Sequence, residues 1–415
     1  MRDCIQEILD FNKGFDRPSL RLKLQLMGES AFSFFRATFH LFAADMRSGP
    51  FQKLPTATSH GRIVADLHTE NFGGYRAVSE DLVYDINDFD DATESLYEFD
   101  LRRVLTSLVL GGTESGLRVG QTVNSCETAV HSYLKAITQF RAAKNRAELA
   151  DLKQSAIVRV LLQVAQERPH LALIQKMVEA RPKGGHQFIS GTAGLAPLKG
   201  SIRMEVEKRF PDYLATALLP VGTTRKDFAV EDVVFRFAGK GSLGKNRFSL
   251  LVRQGEGLGF ENLRILEWKD SSDSPLTSST PSNRKGHKKR NREVCDATVA
   301  FQVNPRAFLG YVSLSDQPMQ ARELGANDCR FDHSQYADAA RLEQAAEVFG
   351  GITARAHLLA SLQQPGPRNI VKDSGVDEDR FAGRLVSFAT SYATRVREDY
   401  AEFQKRRPRI AKAWN

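Results

Sequence analysis

The run Val64-Ala-Asp-Leu-His-Thr-Glu-Asn-Phe-Gly73 decides the interpretation of this chain, together with the later run Asp85-Ile-Asn-Asp-Phe-Asp-Asp-Ala92. The first run carries an aspartate and, five positions on, an asparagine, and the second carries an Asp-Phe-Asp triplet. The four carboxylates of the second run repel one another unless a cation lies among them. We therefore predict a cation-dependent site at Asp66, Asn71 and Asp88.

A structural explanation of the same residues has to be weighed against this one. Aspartate, histidine and asparagine are good turn formers, so the segment around Asn71 could be a plain loop. Asp88, Asp90 and Asp91 could equally cap a helix that begins near Ala92. Each explanation suffices alone, but the occurrence of both runs together, each beside a predicted strand, favours a functional site.

Composition describes an ordinary globular protein. The 415 residues are 41% hydrophobic and 26% charged, which predicts two or three domain-sized units. No apolar run approaches the roughly 20 residues that span a bilayer, and no apolar signal segment follows Met1. The four cysteines are scattered without a Cys-x-x-Cys pair, which indicates neither a disulfide framework nor a zinc ribbon. We therefore expect a cytoplasmic protein with no membrane partner.

The net charge of +8 suits anionic ligands. It is spread along the chain, so we do not expect a nucleic-acid partner on this ground. The basic run 284–292 lacks interleaved aromatic residues and is expected to be a solvated charge run.

Hydrophobic periodicity predicts a helical first half. Residues 19–47 are expected to form a helix with phenylalanines at a spacing of three to four on a core face, namely Phe32, Phe35, Phe39 and Phe42. Strands are expected at Arg62–Ala65 and 82–87, paired as a hairpin whose ends carry the two polar runs. Helix is expected at 96–110 and over most of 122–180.

The second half has a different pattern. Alternating segments predict strands at 233–238, 247–252 and 263–270, and strand-like segments follow at 308–314 and 319–324. A polar, basic loop is expected over 271–292, then a helix at 293–303. The C-terminal part should be helical at 335–362 and 377–405.

The first two of these strands enclose Gly239-Lys-Gly-Ser-Leu-Gly244, a G-x-G-x-x-G pattern. Alone this pattern is weak, because a plain hairpin turn would use the same residues. A dinucleotide-binding fingerprint would open a helix, whereas a strand follows here. A glycine loop between two strands lets bare backbone approach phosphates. Lys269 ends the third strand, on the same face as Ile265 and Glu267. A lysine at this position is either merely solvated or a phosphate ligand, and the glycine loop favours the second.

These residues resemble a known class of site. Asp66, Asn71 and the Asp-Phe-Asp triplet resemble the phosphoryl-transfer site of protein kinases. Asp66-Leu-His-Thr-Glu-Asn and Asp88-Phe-Asp-Asp-Ala are similar to the aminoglycoside-phosphotransferase branch of that fold, which places a buried aspartate, here Asp100, on the following helix. Most closely, the chain resembles the uncharacterised bacterial DUF2252 family over most of its length.

The resemblance implies an α+β, kinase-like fold of two lobes that is circularly permuted, with a small antiparallel β nucleotide lobe and a larger helical lobe. It implies a helical catalytic lobe at 1–225, a β-rich nucleotide lobe at 226–330 and C-terminal helices at 331–415 that pack on the helical lobe. Termini of compact domains often lie close together, so such a permutation is physically plausible.

The resemblance also implies roles for individual residues. Asp66 would be the catalytic base, and ATP and Mg²⁺ would be the cofactors. The candidate metal ligands are Asn71, Asp88 and Asp90. The candidate nucleotide-binding residues are Gly239, Gly241, Ser242, Gly244 and Lys269.

Three departures from the resembled pattern matter. Ala65 stands where the phosphotransferases have the glycine of His-Gly-Asp, and no histidine precedes it. Asp90 stands where protein kinases have the glycine of Asp-Phe-Gly. The acidic partner of Lys269 is not evident, with Glu293 and Asp296 as candidates.

Two further polar residues lie within predicted helices. His357 is expected to be a satisfied core histidine. Arg36 is expected to extend to solvent, with contact to an anion as the alternative.

Several functions stay open on the sequence alone. A phosphotransferase that acts on an unknown acceptor is preferred, with a nucleotide-binding pseudokinase or an AMP-transferring variant as alternatives. Val-Ala-Asp-Leu-His also resembles the entry strand of two-metal phosphoesterases, but the later histidine runs of that class are missing. The acceptor pocket is expected within 122–200, and the oligomeric state is not indicated.

Overall fold

The computed structural model describes residues 3–13, 17–150, 155–192, 194–198, 200–237, 245–277, 286–331, 336, 338–362 and 366–413. Gly239, Gly241, Ser242 and Gly244 lie outside the described residues. Helix and antiparallel sheet are both extensive, so the protein belongs to the α+β class. Across the described part of the chain, no helix is long and apolar enough to cross a membrane.

Helices occur from one end of the described chain to the other. They are α1 (Cys4–Phe11), α2 (Arg17–Met27), α3 (Ala31–Ala37), α4 (Phe39–Arg47), α5 (Tyr97–Glu114), α6 (Val119–Gln139), α7 (Arg146–Ala150), α8 (Ala156–Gln166), α9 (His170–Met177), α10 (Gly200–Thr216), α11 (Arg290–Phe301), α12 (Ala339–Ala360), α13 (Ile370–Ser374) and α14 (Glu378–Ala413).

The described strands form sheets of two, three and six strands. They are β1 (His60–Ile63), β2 (Phe72–Arg76), β3 (Leu82–Ile86), β4 (Thr93–Leu96), β5 (Val178–Ala180), β6 (His186–Phe188), β7 (Leu195–Pro197), β8 (Phe228–Arg236), β9 (Arg247–Gln254), β10 (Leu263–Asp270), β11 (Gly310–Leu314), β12 (Gln317–Glu323) and β13 (Cys329–Arg330).

The helix predicted over 19–47 is divided into α2, α3 and α4. Ser30 caps the start of α3, because its side chain accepts a hydrogen bond from the Ser33 amide at 3.0 Å. At Thr38 the backbone leaves helical geometry (φ −122°, ψ 39°), which separates α3 from α4. The predicted core face is nevertheless confirmed, since the four phenylalanines of the stripe are all buried.

The predicted hairpin between the first two strands is wrong. β1 pairs with β4, whereas β3 pairs with β2, and β13 joins β2 from the far end of the chain. The sequence did not predict β2, because Gly73 and Gly74 lie in it and glycine is typical of loops. Close packing requires a glycine at position 74, since a Cβ there would lie 2.4 Å from the Sγ atom of Cys329.

The six-stranded sheet has the order β11-β12-β10-β9-β8-β7 and every pairing in it is antiparallel. The strands expected in the second half of the sequence are therefore confirmed. β10 is internal, which buries Lys269 between Arg247 of β9 and Gln320 of β12. Side chains alternate along β10, so Leu266 and Trp268 pack on one face while Lys269 lies on the other.

Among the described residues, apolar side chains form one large core and two smaller ones. The large core combines side chains from helices and strands before α9 with side chains from α11, β13, α12, α13 and α14, so both ends of the sequence contribute to it. The second core joins α10 to one face of the six-stranded sheet. The boundary expected between the helical lobe and the β-rich lobe, at residue 226, falls between α10 and β8. Both of these elements contribute to the second core, so the boundary divides one core.

The two ends of the described chain lie side by side. The Asp3 carboxylate is 3.7 Å from the Arg406 guanidinium, and Cys4 Sγ lies 3.9 Å from the carbonyl oxygen of Asp399. Helix α14 thus closes the large core against the first helix.

Candidate functional site

A buried carboxylate holds the loop that carries Asp66. Asp100 of α5 is fully buried and accepts hydrogen bonds from the backbone amides of Val64 at 2.8 Å and Ala65 at 2.7 Å. Ala65 adopts a left-handed backbone (φ 75°), which a glycine would adopt at lower cost. The two hydrogen bonds hold this conformation, and the next residue, Asp66, lines a cavity.

Asp100 has a third partner from the other end of the chain. His357 of α12 lies with Nε2 2.9 Å from the Asp100 carboxylate, and its Nδ1 is 3.0 Å from the Tyr133 hydroxyl. The prediction of a satisfied core histidine is confirmed. The imidazole also anchors the Asp66 loop indirectly, through Asp100.

Arg103 engages the Asp66 carboxylate directly. Its Nε is 2.7 Å and its NH2 group 2.6 Å from Asp66 Oδ1. The guanidinium is fully buried and lies over the ring of Phe35 at 3.7 Å, with Phe39 and Phe42 at 5.0 and 5.2 Å. The aromatic stripe is therefore both core and the support of the arginine that positions Asp66.

The acid–base behaviour of Asp66 follows from this environment. Burial raises the pKa of Asp66 to about 7, and Asp91 and Asp88 add to the rise, whereas Arg103 opposes it. A carboxyl group with this pKa can accept a proton near neutral pH.

Asn71 joins the two polar runs. Its Nδ2 donates to the carbonyl oxygen of Asp66 at 2.8 Å, while its own backbone carbonyl oxygen accepts from the Asn87 amide at 2.9 Å. Asn71 is only 6% exposed, so these bonds fix its orientation. Its Oδ1 atom is not used by either bond and remains an acceptor for a ligand of the cavity that Asn71 lines.

Lys269 contacts Asp90. The Lys269 ammonium forms an ion pair with Asp90 Oδ2, and Gln320 donates to Oδ1 of the same carboxylate. Lys245 lies 3.9 Å from Asp90 Oδ2. Although burial opposes the effect, Lys269 and Lys245 hold the pKa of Asp90 well below its usual range. The sequence-based candidates for the acidic partner of Lys269 were wrong. Glu293 contacts His287, and Asp296 contacts Arg292.

The neighbouring carboxylates Asp88 and Asp91 have raised pKa values although cations lie near both of them. Burial and the nearby Asp90 raise the pKa of Asp88, and burial raises that of Asp91 to about 6. A bound cation would relieve both effects. In the described parts of the chain, however, no group of three or more His, Cys, Asp and Glu side chains is placed to hold a metal ion.

Arg290 ties these elements together. Its guanidinium donates to the carbonyl oxygens of Asp90 at 2.6 Å, Ala92 at 3.0 Å and Ser272 at 3.0 Å. The prediction of a solvated basic run is therefore wrong for Arg290, which is 5% exposed, although Lys288 and Lys289 are exposed.

Carboxylates of both polar runs and the two lysines line one cavity of about 660 Å³, and the groups that hold them in place lie behind its wall. The described members of the predicted site meet there, and they are Asp66, Asn71, Asp88, Asp90 and Lys269. The glycine loop is outside the described residues, but the strands on either side of it, β8 and β9, belong to the same sheet as β10 and Lys269.

Sequence reasoning missed several residues around the cavity. Arg36 does not extend to solvent as expected: its side chain is 14% exposed and its NH1 group lies 2.7 Å from Glu70. Lys245 and Arg103 belong to no motif that the sequence makes recognisable. The one signal for Arg103 is its position three residues after Asp100, about one helical turn along α5.

Together these observations define an α+β protein with a cavity of many charged side chains that is lined by loops of the helical part and by the six-stranded sheet. The chain belongs to the DUF2252 family, described as uncharacterised proteins conserved in bacteria, whose model matches residues 16–406. Neither the curated proteins nor the solved structures contain a match to the chain.

Proposed function

We propose that the protein is an ATP- and Mg²⁺-dependent phosphotransferase. One observation carries the proposal: Lys269, on the second strand after the glycine pattern, pairs with Asp90 beside Asp88, in a cavity that also contains Asp66 and Asn71. In kinases, the corresponding lysine, aspartate and asparagine hold nucleotide phosphates and metal, and an aspartate accepts the proton of the attacking hydroxyl.

The proposal includes a two-lobed fold with its halves exchanged in sequence. The nucleotide lobe would span residues 226–330, and the catalytic lobe would combine 1–225 with the C-terminal helices of 331–415. The succession β8, glycine loop, β9 and Lys269 on β10, followed by helix α11, supports this proposal because kinases place their phosphate-binding lysine on a third strand.

The residues of the cavity fit a magnesium ion that is held jointly by the protein and by the nucleotide phosphates. Mg²⁺ in such sites is held by one or two carboxylates together with the phosphates, so a complete protein cage is not required. Asp88 and Asn71 Oδ1 would hold the ion, which would neutralise negative charge on the phosphates. Asp90 is engaged by Lys269 and Gln320, and so fits the role of lysine partner better than that of metal ligand.

The proposed chemistry is a single displacement. A hydroxyl oxygen of the acceptor forms a bond to the γ-phosphorus of ATP, and the bond from that phosphorus to the β–γ bridging oxygen breaks, releasing ADP. Asp66 receives the hydroxyl proton, and Lys269 stabilises charge on the phosphates. Arg103 and Asn71 hold Asp66 in place throughout.

A nucleotide-binding protein without transfer chemistry is the second candidate. The close pairing of Asp66 with Arg103 favours it, because a guanidinium lowers the basicity of a carboxylate. In that case Mg·ATP would stabilise the protein against heat, and no product would depend on Asp66.

The two-metal phosphoesterase receives little support from the geometry. It would require Asp66 and His68 to share metals, but Asp66 is engaged by Arg103, and His68 Nε2 lies 3.3 Å from Arg36 Nε. Analysis of the released product distinguishes the transfer of AMP from the transfer of phosphate. AMP transfer releases pyrophosphate, whereas phosphoryl transfer releases ADP.

Calorimetric titration with Mg·ATP tests the proposal. We expect micromolar to millimolar affinity, with Lys269→Ala and Asp88→Asn weakening it by roughly tenfold or more, since each removes a charged contact to phosphate or metal. Asp212→Asn is the matched control, because Asp212 is a carboxylate 60% exposed on α10. Unchanged affinity in both site variants would refute the nucleotide site. Turnover that survives Asp66→Asn would refute its role as base.

A further inference from the structure

Two arginines in the cavity share one carboxylate. Arg36 NH1 lies 2.7 Å and Arg330 NH1 lies 3.2 Å from the same Oε2 atom of Glu70. They come from distant parts of the chain, α3 and β13, so the fold brings two guanidinium groups to one carboxylate.

Arg36 has hydrogen-bonding capacity to spare. Its Nε is directed at His68 and its NH1 at Glu70, and within the described residues its NH2 group has no hydrogen-bond partner. Burial lowers the pKa of Arg36. Glu70, Asp66 and Asp88 oppose this effect but compensate for it only in part. A buried guanidinium in this situation would gain from a further anion, and its planar fork suits a carboxylate or a phosphate.

The location of this pair relative to the proposed chemistry is informative. Arg36 interacts electrostatically with Asp66, whereas the ammonium groups of Lys245 and Lys269 converge on Asp90. The cavity thus has one group of cations at the strand that would hold nucleotide and another beside the proposed base. Arg330 is 55% exposed, so the second group opens to solvent and can be reached by a ligand.

We propose that Arg36 and Arg330 form the subsite for a carboxylate or phosphate group on the acceptor. This inference rests on the proposed phosphotransferase function and narrows its substrate class to small hydroxyl compounds that carry a negative charge. Glu70 holds the two guanidinium groups in position, and the hydroxyl of the bound acceptor lies towards Asp66. A polycationic acceptor is disfavoured, because it would meet the arginine pair.

Binding experiments on the full-length protein test this subsite. In the presence of saturating Mg·ADP, thermal shift and calorimetry compare the anionic alcohols glycerate and glycerol 3-phosphate with glycerol and ethanolamine, at constant ionic strength. Inorganic phosphate serves as the minimal probe. We expect stabilisation by the anions alone, and Arg330→Gln and Arg36→Gln to weaken anion binding roughly tenfold while Mg·ADP affinity stays unchanged. Arg62→Gln is the control, since Arg62 is 38% exposed and outside the cavity.

Other outcomes overturn the inference. Equal binding of glycerol or ethanolamine, absence of binding by every anion including phosphate, or anion binding unaffected by Arg330→Gln each contradict it. Because Arg330 is largely exposed, its replacement is informative even where Arg36→Gln fails to fold. Failure of the wild-type protein to bind Mg·ADP refutes the phosphotransferase proposal separately, and anion binding that is lost in Arg330→Gln would then still establish the subsite.

Discussion

At the scale of single residues, the environment of Asp66 sets the pH dependence of the proposed reaction. Its pKa is raised to about 7, so the carboxyl group is largely protonated below this pH and cannot accept a proton. We expect kcat/KM to rise as pH increases through about 7 and then to level off.

Replacement of Arg103 should shift the pH at which kcat/KM rises, which is the acidic limb of the pH profile. The guanidinium opposes the rise in the pKa of Asp66, both by its charge and by its hydrogen bond. Arg103→Gln should therefore shift the limb to higher pH and lower the rate at pH 7, whereas Arg103→Lys, which keeps the charge, should shift it less. A pH series of initial rates measures the effect.

Arg62→Gln, at a half-buried position outside the cavity, is the control and should leave the pH dependence unchanged. A limb that stays in place, or that moves to lower pH in Arg103→Gln, would contradict the proposed coupling of Arg103 to Asp66.

The sequence predicted the members of the site that belong to local patterns. Asp66, Asn71 and Asp88 lie in short runs whose spacing has a chemical meaning. Arg36 and Arg103 could not be found in this way, because a single arginine in an amphipathic helix is usually a surface residue, and only tertiary packing shows where its side chain goes. The pairing of Lys269 with Asp90 likewise depends on how distant segments of the chain pack together.

At the scale of elements, the contact of α6 with α12 supports the loop that carries Asp66. His357 of α12 contacts Tyr133 of α6 and also Asp100 of α5, which holds that loop. The helices approach so closely at Gly350 that an added Cβ would lie 2.0 Å from the carbonyl oxygen of Ala129. Backbone cannot move aside as a flexible side chain can.

Gly350→Ala should therefore destabilise the protein by about 1–3 kcal/mol or more, the cost of overpacking a closely packed contact. Gly383→Ala in α14 is the matched control: outside the backbone of its own helix, no described atom lies within 4 Å of the added Cβ, so the better helix propensity of alanine should stabilise by about 0.5–1 kcal/mol. Urea unfolding at neutral pH gives both values. Equal effects in the two variants would show that the α6–α12 contact is not close.

Periodicity predicted most of the elements but not all of the pairings. The strands of the six-stranded sheet and the helices α12 and α14 follow from alternation and from apolar spacing. The division of residues 19–47 into three helices depends on Ser30 and Thr38, residue types that also occur inside helices. The partners of β1 and β3 were mispredicted because the glycines of β2 removed its strand signal.

At the scale of the whole molecule, the adjacency of the two ends makes a reordered chain feasible. Asp3 and Arg406 lie 3.7 Å apart at their charged groups, so a flexible linker can join the two ends of the described chain. New termini fit the turn at Val221 and Gly222, where Val221 is 74% exposed and Gly222 has a φ of +83°. The reordered chain would begin with β8 and would end with β7 and α10, which pack on the same sheet.

This permutant should fold cooperatively and bind Mg·ATP with an affinity close to that of the original chain, since no core contact is cut. Circular dichroism, urea unfolding and calorimetry are the measurements. A permutant opened between Ala354 and Arg355, within α12, is the control and should not fold stably. Loss of cooperative unfolding in the first permutant would argue against halves that can be exchanged in order.

The partnership of Asp100 and His357 also has a consequence for the order of events during synthesis. The two residues are 257 positions apart, and ribosomes add roughly 5–20 residues per second. His357 is therefore synthesised on the order of 13–50 s after Asp100, and until then it cannot help to hold the loop that carries Asp66. During this interval the apolar side chains of α3–α6 have no C-terminal helices to cover them. We expect the nascent chain to be a client of chaperones and to acquire its function only after translation is complete.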